Sequence, residues 1–421
     1  MTAVTSSLSD DQRAILALWY EVNASLSAYH KLITSFGYPQ LAWQAKVEAW
    51  KQLGIHHTHL KRHEQPEQTL ANIDKIQQAL IEGRYGLLFA DDADYPAQLS
   101  QIYDPPPLLF YRGNSARLHQ AQIAIVGSRK PTAHAQKITF DMAQYLAQAG
   151  YIVTSGLAMG VDKRAHLGAL AQADPDYHGR TVGVMGTGID VNYPNHRDQL
   201  FTQIIEQGGC IISELLPHTQ PHKHTFPRRN RLVAGLSLAT IVTEATIKSG
   251  SLITARLTSE QGKQVFAIPS HIDNSNAEGC HHLIREGATL VYHPQQVLED
   301  VNGQLDYDKG AYRTANATNS ISNHSNSNHS NITQTSDAFD IEKKSIKSTS
   351  QQPSSDIKPA RSTVIVPENL AAIYEQLDWH GQDLDALISA TKLAPPQLIG
   401  QLMELELMGL ISEQGGRYLR I

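Results

Sequence analysis

The chain has 421 residues, 41% of them hydrophobic, and a formal net charge of −6. That length exceeds one ordinary domain and predicts two or three, with ample apolar material for a core. The charge excludes a uniformly basic polyanion binder, although a locally basic groove needs no overall positive charge. No stretch approaches the roughly 20 uninterrupted apolar residues of a membrane span. The first residues, MTAVTSSLSDDQRAIL, lack the basic and apolar regions of a secretory signal. The two cysteines, Cys210 and Cys280, form no CxxC pair, which argues against a disulfide framework or structural zinc and for a cytoplasmic setting.

In chain order, Asp10 to about Gly83 predicts short amphipathic helices, with apolar residues at helical spacing in Ile15-Leu16-Leu18-Trp19 and Ile73-Ile76-Leu80-Ile81. Gly37-Tyr38-Pro39 and Gly54 interrupt them. A strand-like segment, Tyr85–Ala90, leads to the proline-rich run Asp104–Gly113, which reads as an extended crossing between domains. From Gln122 onward, short β-branched runs alternate with helical segments. The strands expected are Ile123–Gly127, Tyr151–Ser155, Thr181–Met185, Cys210–Ser213, Ala239–Thr243, Gln264–Ile268 and Thr289–Tyr292, with helices such as Ala133–Ala149 and Leu252–Gly262 between them. This alternation predicts an α/β fold with a doubly wound, mostly parallel, Rossmann-like sheet. After Val301 the composition turns to Asn, Ser, Thr and His, as in ATNSISNHSNSNHSNITQTS, and predicts a disordered linker. Helical patterns at Glu368–Leu377, Leu384–Thr391 and Pro396–Met408, with a β-like tail at Leu410–Ile421, suggest a winged-helix domain. The expected domains are therefore 1–84, 85–301, a linker over 302–362, and 363–421.

Ligands of open α/β sheets bind at the carboxyl ends of the strands, and four segments fall there. Gly127-Ser128-Arg129-Lys130-Pro131 is either a serine-capped turn or an anion cradle with Arg129 as a planar fork. Ser155-Gly156-Leu-Ala-Met-Gly160-Val-Asp162 is a glycine-rich turn into a helix, but it is not G-x-G-x-x-G and lacks the downstream ribose-binding acid. In the third segment Lys223, Arg228, Arg229, Asn230 and Arg231 crowd around Phe226. Cations beside a ring that can stack on a base are what single-strand binding needs. In the fourth, Lys248-Ser249-Gly250-Ser251 opens a helix, where the serines serve as an N-cap and the same groups could hold a phosphate.

The chain has no P-loop, no H-E-x-x-H, no G-x-S-x-G, and no zinc-deaminase pattern. Glu214 and Glu244 stand at strand ends without the flanks of an acid–base pair, and a structural hydrogen-bonding role is the simpler reading. The sequence presents a binding groove without a catalyst, with no cofactor and no metal called for.

These motifs resemble the DNA-processing protein A (DprA/Smf) family. The resemblance rests on IVGSR (Ile125–Arg129), SGLAMGVD (Ser155–Asp162), GTGIDVNYP (Gly186–Pro194), QPHKHTFPRRNRLVAGLS (Gln220–Ser237), SGSLITA (Ser249–Ala255) and GCHHLIREGA (Gly279–Ala288). It covers everything except the Asn/Ser-rich stretch. It implies a SAM-like helical module, an extended Rossmann domain and a C-terminal winged helix. Also implied are single-stranded DNA binding without catalysis, homodimerisation through the region around Cys280–Ile284, and delivery of the RecA recombinase onto DNA in natural transformation. The pocket residues implied are Ser128, Arg129, Lys223, Phe226, Arg228 to Arg231, and Lys248 to Ser251. The candidate recognition helix, Pro396–Met408, carries two Glu and no Lys or Arg. Reading duplex DNA needs cations there, so a protein-contact or autoregulatory role is expected for that domain. The principal alternative is a nucleotide hydrolase of the lysine-decarboxylase-like (LOG) type, which would need a P-G-G-x-G-T loop where this chain has Ile-Lys-Ser-Gly-Ser.

Overall fold

A computed structural model describes residues 8–194, 198–302, 367–377, 382–407, 410–414 and 417–420. The chain divides into two compact units, Met1–Ser327 and Asn328–Ile421. The expected linker over 302–362 lies almost entirely outside the described residues.

The first unit begins with six helices: α1 (Asp10–Glu21), α2 (Leu26–Phe36), α3 (Pro39–Gln44), α4 (Val47–Gln52), α5 (His57–His63) and α6 (Pro66–Ile81). Helix α1 opens with a capping box, in which Ser9 and Gln12 exchange side-chain-to-backbone hydrogen bonds, and Asp10 and Asp11 complement its dipole. Its buried side, from Ala14 to Trp19, packs against Leu32, Trp50 and Ile73. A buried polar knot holds the module together. Glu21 accepts from Trp43 Nε1 (3.1 Å), Thr69 Oγ1 (3.0 Å) and His63 Nδ1 (2.7 Å). The other ring nitrogen of His63 lies 2.8 Å from the Ala45 carbonyl. Both nitrogens face acceptors, an arrangement that only the doubly protonated imidazolium satisfies in full. It stacks on Trp50 at 3.9 Å.

Nine strands among the described residues form one sheet: β1 (Gly86–Phe89), β2 (Leu108–Gly113), β3 (Gln122–Val126), β4 (Ile152–Ser155), β5 (Thr181–Val184), β6 (Cys210–Ser213), β7 (Ala239–Val242), β8 (Gln264–Ala267) and β9 (Thr289–Leu290). Their order is β1-β2-β6-β5-β4-β3-β7-β8-β9. From β6 to β9 all neighbours are parallel, whereas β2 runs antiparallel to β6 and β1. All seven strands expected after Gln122 are present within a few residues. Strands β3 to β7 are buried on both faces, which explains their continuous apolar runs. Further helices follow in chain order: α7 (Ala97–Ser100), α8 (Ala133–Gln148), α9 (Val161–Leu170), α10 (Asp198–Glu206), α11 (Thr225–Leu236) and α12 (Ser251–Glu260). Ile123 and Ile125 face α8 and α9, and Ala124 and Val126 face the layer holding α11 and α12.

The proline-rich run differs from its expected role as a domain crossing. Pro105 to Pro107 precede the ladder, and Leu108–Gly113 is itself a strand, buried at Leu108, Leu109 and Phe110. The prolines fall where no ladder N–H is required, so they did not exclude a strand after them. One apolar cluster then runs from Trp19 and Trp50 through Phe110 to Phe201, so the helical module and the sheet share a core.

The second unit contains helices Glu368–Gln376, Leu384–Thr391 and Pro395–Leu407 and a three-stranded antiparallel sheet of Gln382–Asp383, Arg417–Arg420 and Ile411–Gln414. Leu370, Leu387, Leu398 and Leu402 form its core. Three helices with a small sheet give the winged-helix arrangement. Glu404 and Glu406 are exposed on the third helix, which holds no basic residue.

The His63–Glu21 pair carries a pH signature. Burial pushes the His63 pKa down, but the Glu21 carboxylate and the Ala45 carbonyl outweigh it, so the net shift is upward from 6.5. A raised folded pKa gives stabilisation that is complete below pH 6.5 and lost as pH rises through the folded value. His63→Gln leaves Glu21 with an unpaired charge and should cost about 3 kcal/mol in urea denaturation near pH 6. The gap to wild type should narrow as pH rises through the raised folded pKa of His63, once the imidazolium has lost its proton.

Candidate functional site

The sheet reverses its winding at β3. The chain proceeds outward through β4, β5 and β6, then returns to lay β7 on the other side of β3. Such a switch point opens a crevice at the carboxyl ends of the strands. Here the crevice is a cleft of about 380 Å³, walled by the loops after β3, β4 and β7 and by the first turns of α11. Arg129, Gly156, Lys223, Phe226, Arg229, Asn230, Ser249, Gly250 and Ser251 all line it, so nine of the fourteen expected residues meet in one place.

The helical phase of α11 decides which of its cations face this cleft. Residues three and four apart share a face, so Phe226, Arg229, Asn230 and Val233 turn toward the cleft. Arg228 and Arg231, also three apart, turn toward Glu214 instead. Glu214 is almost fully buried and forms ion pairs with both, at 3.0 Å for Arg228 and closer for Arg231. Arg228 also donates to the Ala24 carbonyl (2.5 Å) and lies over the Trp19 ring, whose Nε1 donates to the Glu214 carbonyl (2.9 Å). These two arginines join α11 to the helical module; the expectation that the whole Arg run surrounds Phe226 is corrected accordingly.

Arg229 forms the floor. It is buried, its Nη1 donates to the Val184 carbonyl (3.0 Å), and its Nε has no partner. Burial lowers its pKa, offset by the nearby Asp162, and burial raises that of Asp162 in turn, offset first by Arg229. Gly156 is required by this floor, because a Cβ there would collide with the Arg229 guanidinium. Arg129 is exposed at the rim, as is Lys223. Phe226 is half-buried, with Tyr193 tilted beside it at 5.4 Å. Tyr193 was not among the expected residues. It belongs to the GTGIDVNYP motif, but nothing in the sequence says that the fold brings its ring beside Phe226.

The serines divide. Ser249 Oγ lies 2.7 Å from Ser251 Oγ and accepts from the Ser251 N–H (3.3 Å), but the N-cap of α12 is Gly250 and no side chain caps the helix, so the expected serine cap is corrected. Ser128 sits beside the cleft rather than on its lining, its hydroxyl accepting from the Lys130 N–H (3.1 Å). Ser155 is fully buried and donates to the Ile125 carbonyl (2.6 Å), so its side chain fastens β4 to β3 and does not reach a ligand. Lys248 is exposed on a neighbouring depression shared with Arg256, Lys263 and His282, outside the cleft lining. Glu244, nearly fully buried, accepts from Thr132 N–H (3.1 Å) and Oγ1 (2.7 Å), holding the start of α8. Both glutamates at the strand ends thus have structural partners.

These features define a Rossmann-like α/β protein with a cationic, aromatic cleft at its switch point. Sequence comparison places it more closely. The family described as DNA recombination-mediator protein A matches residues 86–302, and the DprA winged helix domain matches residues 358–417. Protein Smf of Synechocystis sp. is 35% identical over 339 residues, 79% of each chain. Protein Smf of Escherichia coli is 33% identical over 342 residues, 81% of this chain and 79% of that one. The X-ray structure of DNA processing protein A (DprA) from Streptococcus pneumoniae superposes with a TM-score of 0.55 at 32% identity, covering 68% of this chain and 97% of that one. The chain belongs to the DprA/Smf family.

Two substitutions check the two faces of α11. Gly156→Ala should destabilise by roughly 1–3 kcal/mol in urea denaturation, through displacement of the buried guanidinium. Glu214→Gln leaves two guanidiniums without their carboxylate and should cost about 3–5 kcal/mol, with protease sensitivity appearing first near Ala24.

Proposed function

We propose that this protein binds single-stranded DNA in the switch-point cleft and acts by binding, without catalysing a reaction. The observation that carries the reading is the juxtaposition of the buried Arg229, the exposed Arg129 and Lys223, and the half-buried ring of Phe226 in one cleft. Guanidinium and ammonium groups neutralise a phosphate backbone, and an accessible ring stacks on bases without regard to sequence. Family membership supports the same ligand class, since a relative of known structure is a DNA processing protein. The non-catalytic reading is supported by Glu214 and Glu244, the two carboxylates best placed for acid–base work, which are both committed to structural partners.

Within this reading the assigned ligand set is Arg129, Lys223, Phe226, Arg229, Asn230 and the Ser249–Ser251 turn, with Ser128 and Lys248 contributing at the margins. The division into 1–84, 85–301, 302–362 and 363–421 belongs to the same proposal. So do a cytoplasmic location, a homodimer, and delivery of RecA onto the bound strand in natural transformation. The acidic third helix of the second unit supports contact with protein rather than duplex DNA. Among the described residues no helix is long and apolar enough to cross a membrane.

Fluorescence anisotropy of labelled oligo-dT, against a matched duplex, tests the reading. Wild type should prefer the single strand, with affinity falling as salt rises. Phe226→Ala should weaken binding by about 1–3 kcal/mol. Arg129→Ala should reduce the slope of log K against log salt by about 0.7, the share of one phosphate on a single strand. Unchanged binding in both variants would remove the cleft as the site, and release of base from adenosine monophosphate would turn the reading toward a LOG-type hydrolase.

A further inference from the structure

A groove of about 1030 Å³, larger than the cleft, lies between the helical module and the β2/β6 side of the sheet. Five basic side chains line it, Arg62, Lys75, Arg84, Arg112 and Arg228, against a single acid, Asp190. In a chain of net charge −6, that is a local reversal of sign. Asp190 is itself engaged by His218, through its ring at 2.6 Å and its backbone N–H at 2.7 Å. Three of the cations have partners within the protein: Arg62 donates to the Tyr20 carbonyl, Arg84 pairs with Glu82, and Arg228 pairs with Glu214. The side chains of Lys75 on α6 and Arg112 on β2 make no hydrogen bond or ion pair among the described residues. Two elements far apart in sequence thus present unpaired cations to one groove.

The groove is continuous with the cleft. His222 lines both, and its ring stacks parallel to that of His224, 5.6 Å away, on the groove side. On the opposite wall Arg62 covers the ring of Tyr20 at 5.3 Å. We propose that this groove is a second track for the single strand, carrying its backbone from the cleft across His222 to Lys75 and Arg112. The proposal rests on the cleft reading and extends it. At about 1030 Å³ the groove stands at the upper end of small-ligand sites, and its alternation of cations with flat rings fits a polynucleotide better than an acidic peptide, which offers nothing to stack.

The test is anisotropy on the full chain with oligo-dT of graded length, from about 4 to well beyond 16 nucleotides, the span of site sizes that single-strand binders use. Lys75→Gln with Arg112→Gln should leave the shortest strands bound as in wild type. It should weaken the long ones about tenfold and reduce their salt slope by about 1.4, two phosphates' worth. Lys75→Glu alone, at an exposed position that carries no packing, should shift the long strands in the same direction. Long-strand affinity and slope equal to wild type in both variants, with Arg129→Ala still weakening every length, would overturn the groove and leave the cleft intact. No change in any of the three would overturn both. Weakening of the long strands by these variants when an acidic peptide fails to compete would assign the groove to nucleic acid.

Discussion

Much of this structure depends on one buried carboxylate. Glu214 ends β6 in a place water does not reach, and a lone carboxylate there would be prohibitively expensive. It is retained because α11 brings two guanidiniums onto it, from Arg228 and Arg231. That pairing fixes the rotation of α11 about its axis. With the rotation fixed, Phe226, Arg229 and Asn230 have only one direction to face, and it is the cleft. The carboxylate therefore sets the geometry of a site it does not touch.

The same contact anchors the helical module. Arg228 reaches the Ala24 carbonyl and the Trp19 ring, while the Trp19 indole returns to the Glu214 carbonyl. Module and sheet also share an apolar cluster, so the groove between them has walls held at a defined separation. A groove whose walls are fixed in advance loses little entropy when a ligand enters it. The cations that remain unpaired, Arg129 and Lys223 on the cleft and Lys75 and Arg112 on the groove, are those left over after this internal pairing.

The strands and the composition of the cleft were legible in the sequence for a definite reason. Strands buried on both faces produce short β-branched runs, and loops at their carboxyl ends must carry the ligand chemistry. Those loops, taken together, place Arg129, Gly156, Lys223, Phe226 and the serine turn at one edge of the sheet. The phase of α11 was not legible, because PRRNR shows four polar residues in a row and no local pattern says which two answer an acid at position 214. Ser155 misled for a related reason. A serine beside glycines reads as a phosphate ligand, yet its hydroxyl satisfies the Ile125 carbonyl inside the sheet. Nor could β2 be inferred from a proline-rich segment, since the prolines stop one residue before the ladder begins.

The groove lay furthest from sequence reasoning. Its free cations come from α6 and β2, and nothing near either of them marks a ligand; Lys75 reads as a solvated helix position and Arg112 as the polar end of a strand. Only the fold brings them to the same side of the His218–His224 loop that closes the cleft. That loop is short, carries three histidines, and touches both cavities through His222. The partition between the two cavities includes His222, which lines both and stacks on His224, so it offers flat rings on which a base can stack. The partition, more than either cavity alone, is what makes a single continuous path the economical reading of two basic hollows in an acidic protein.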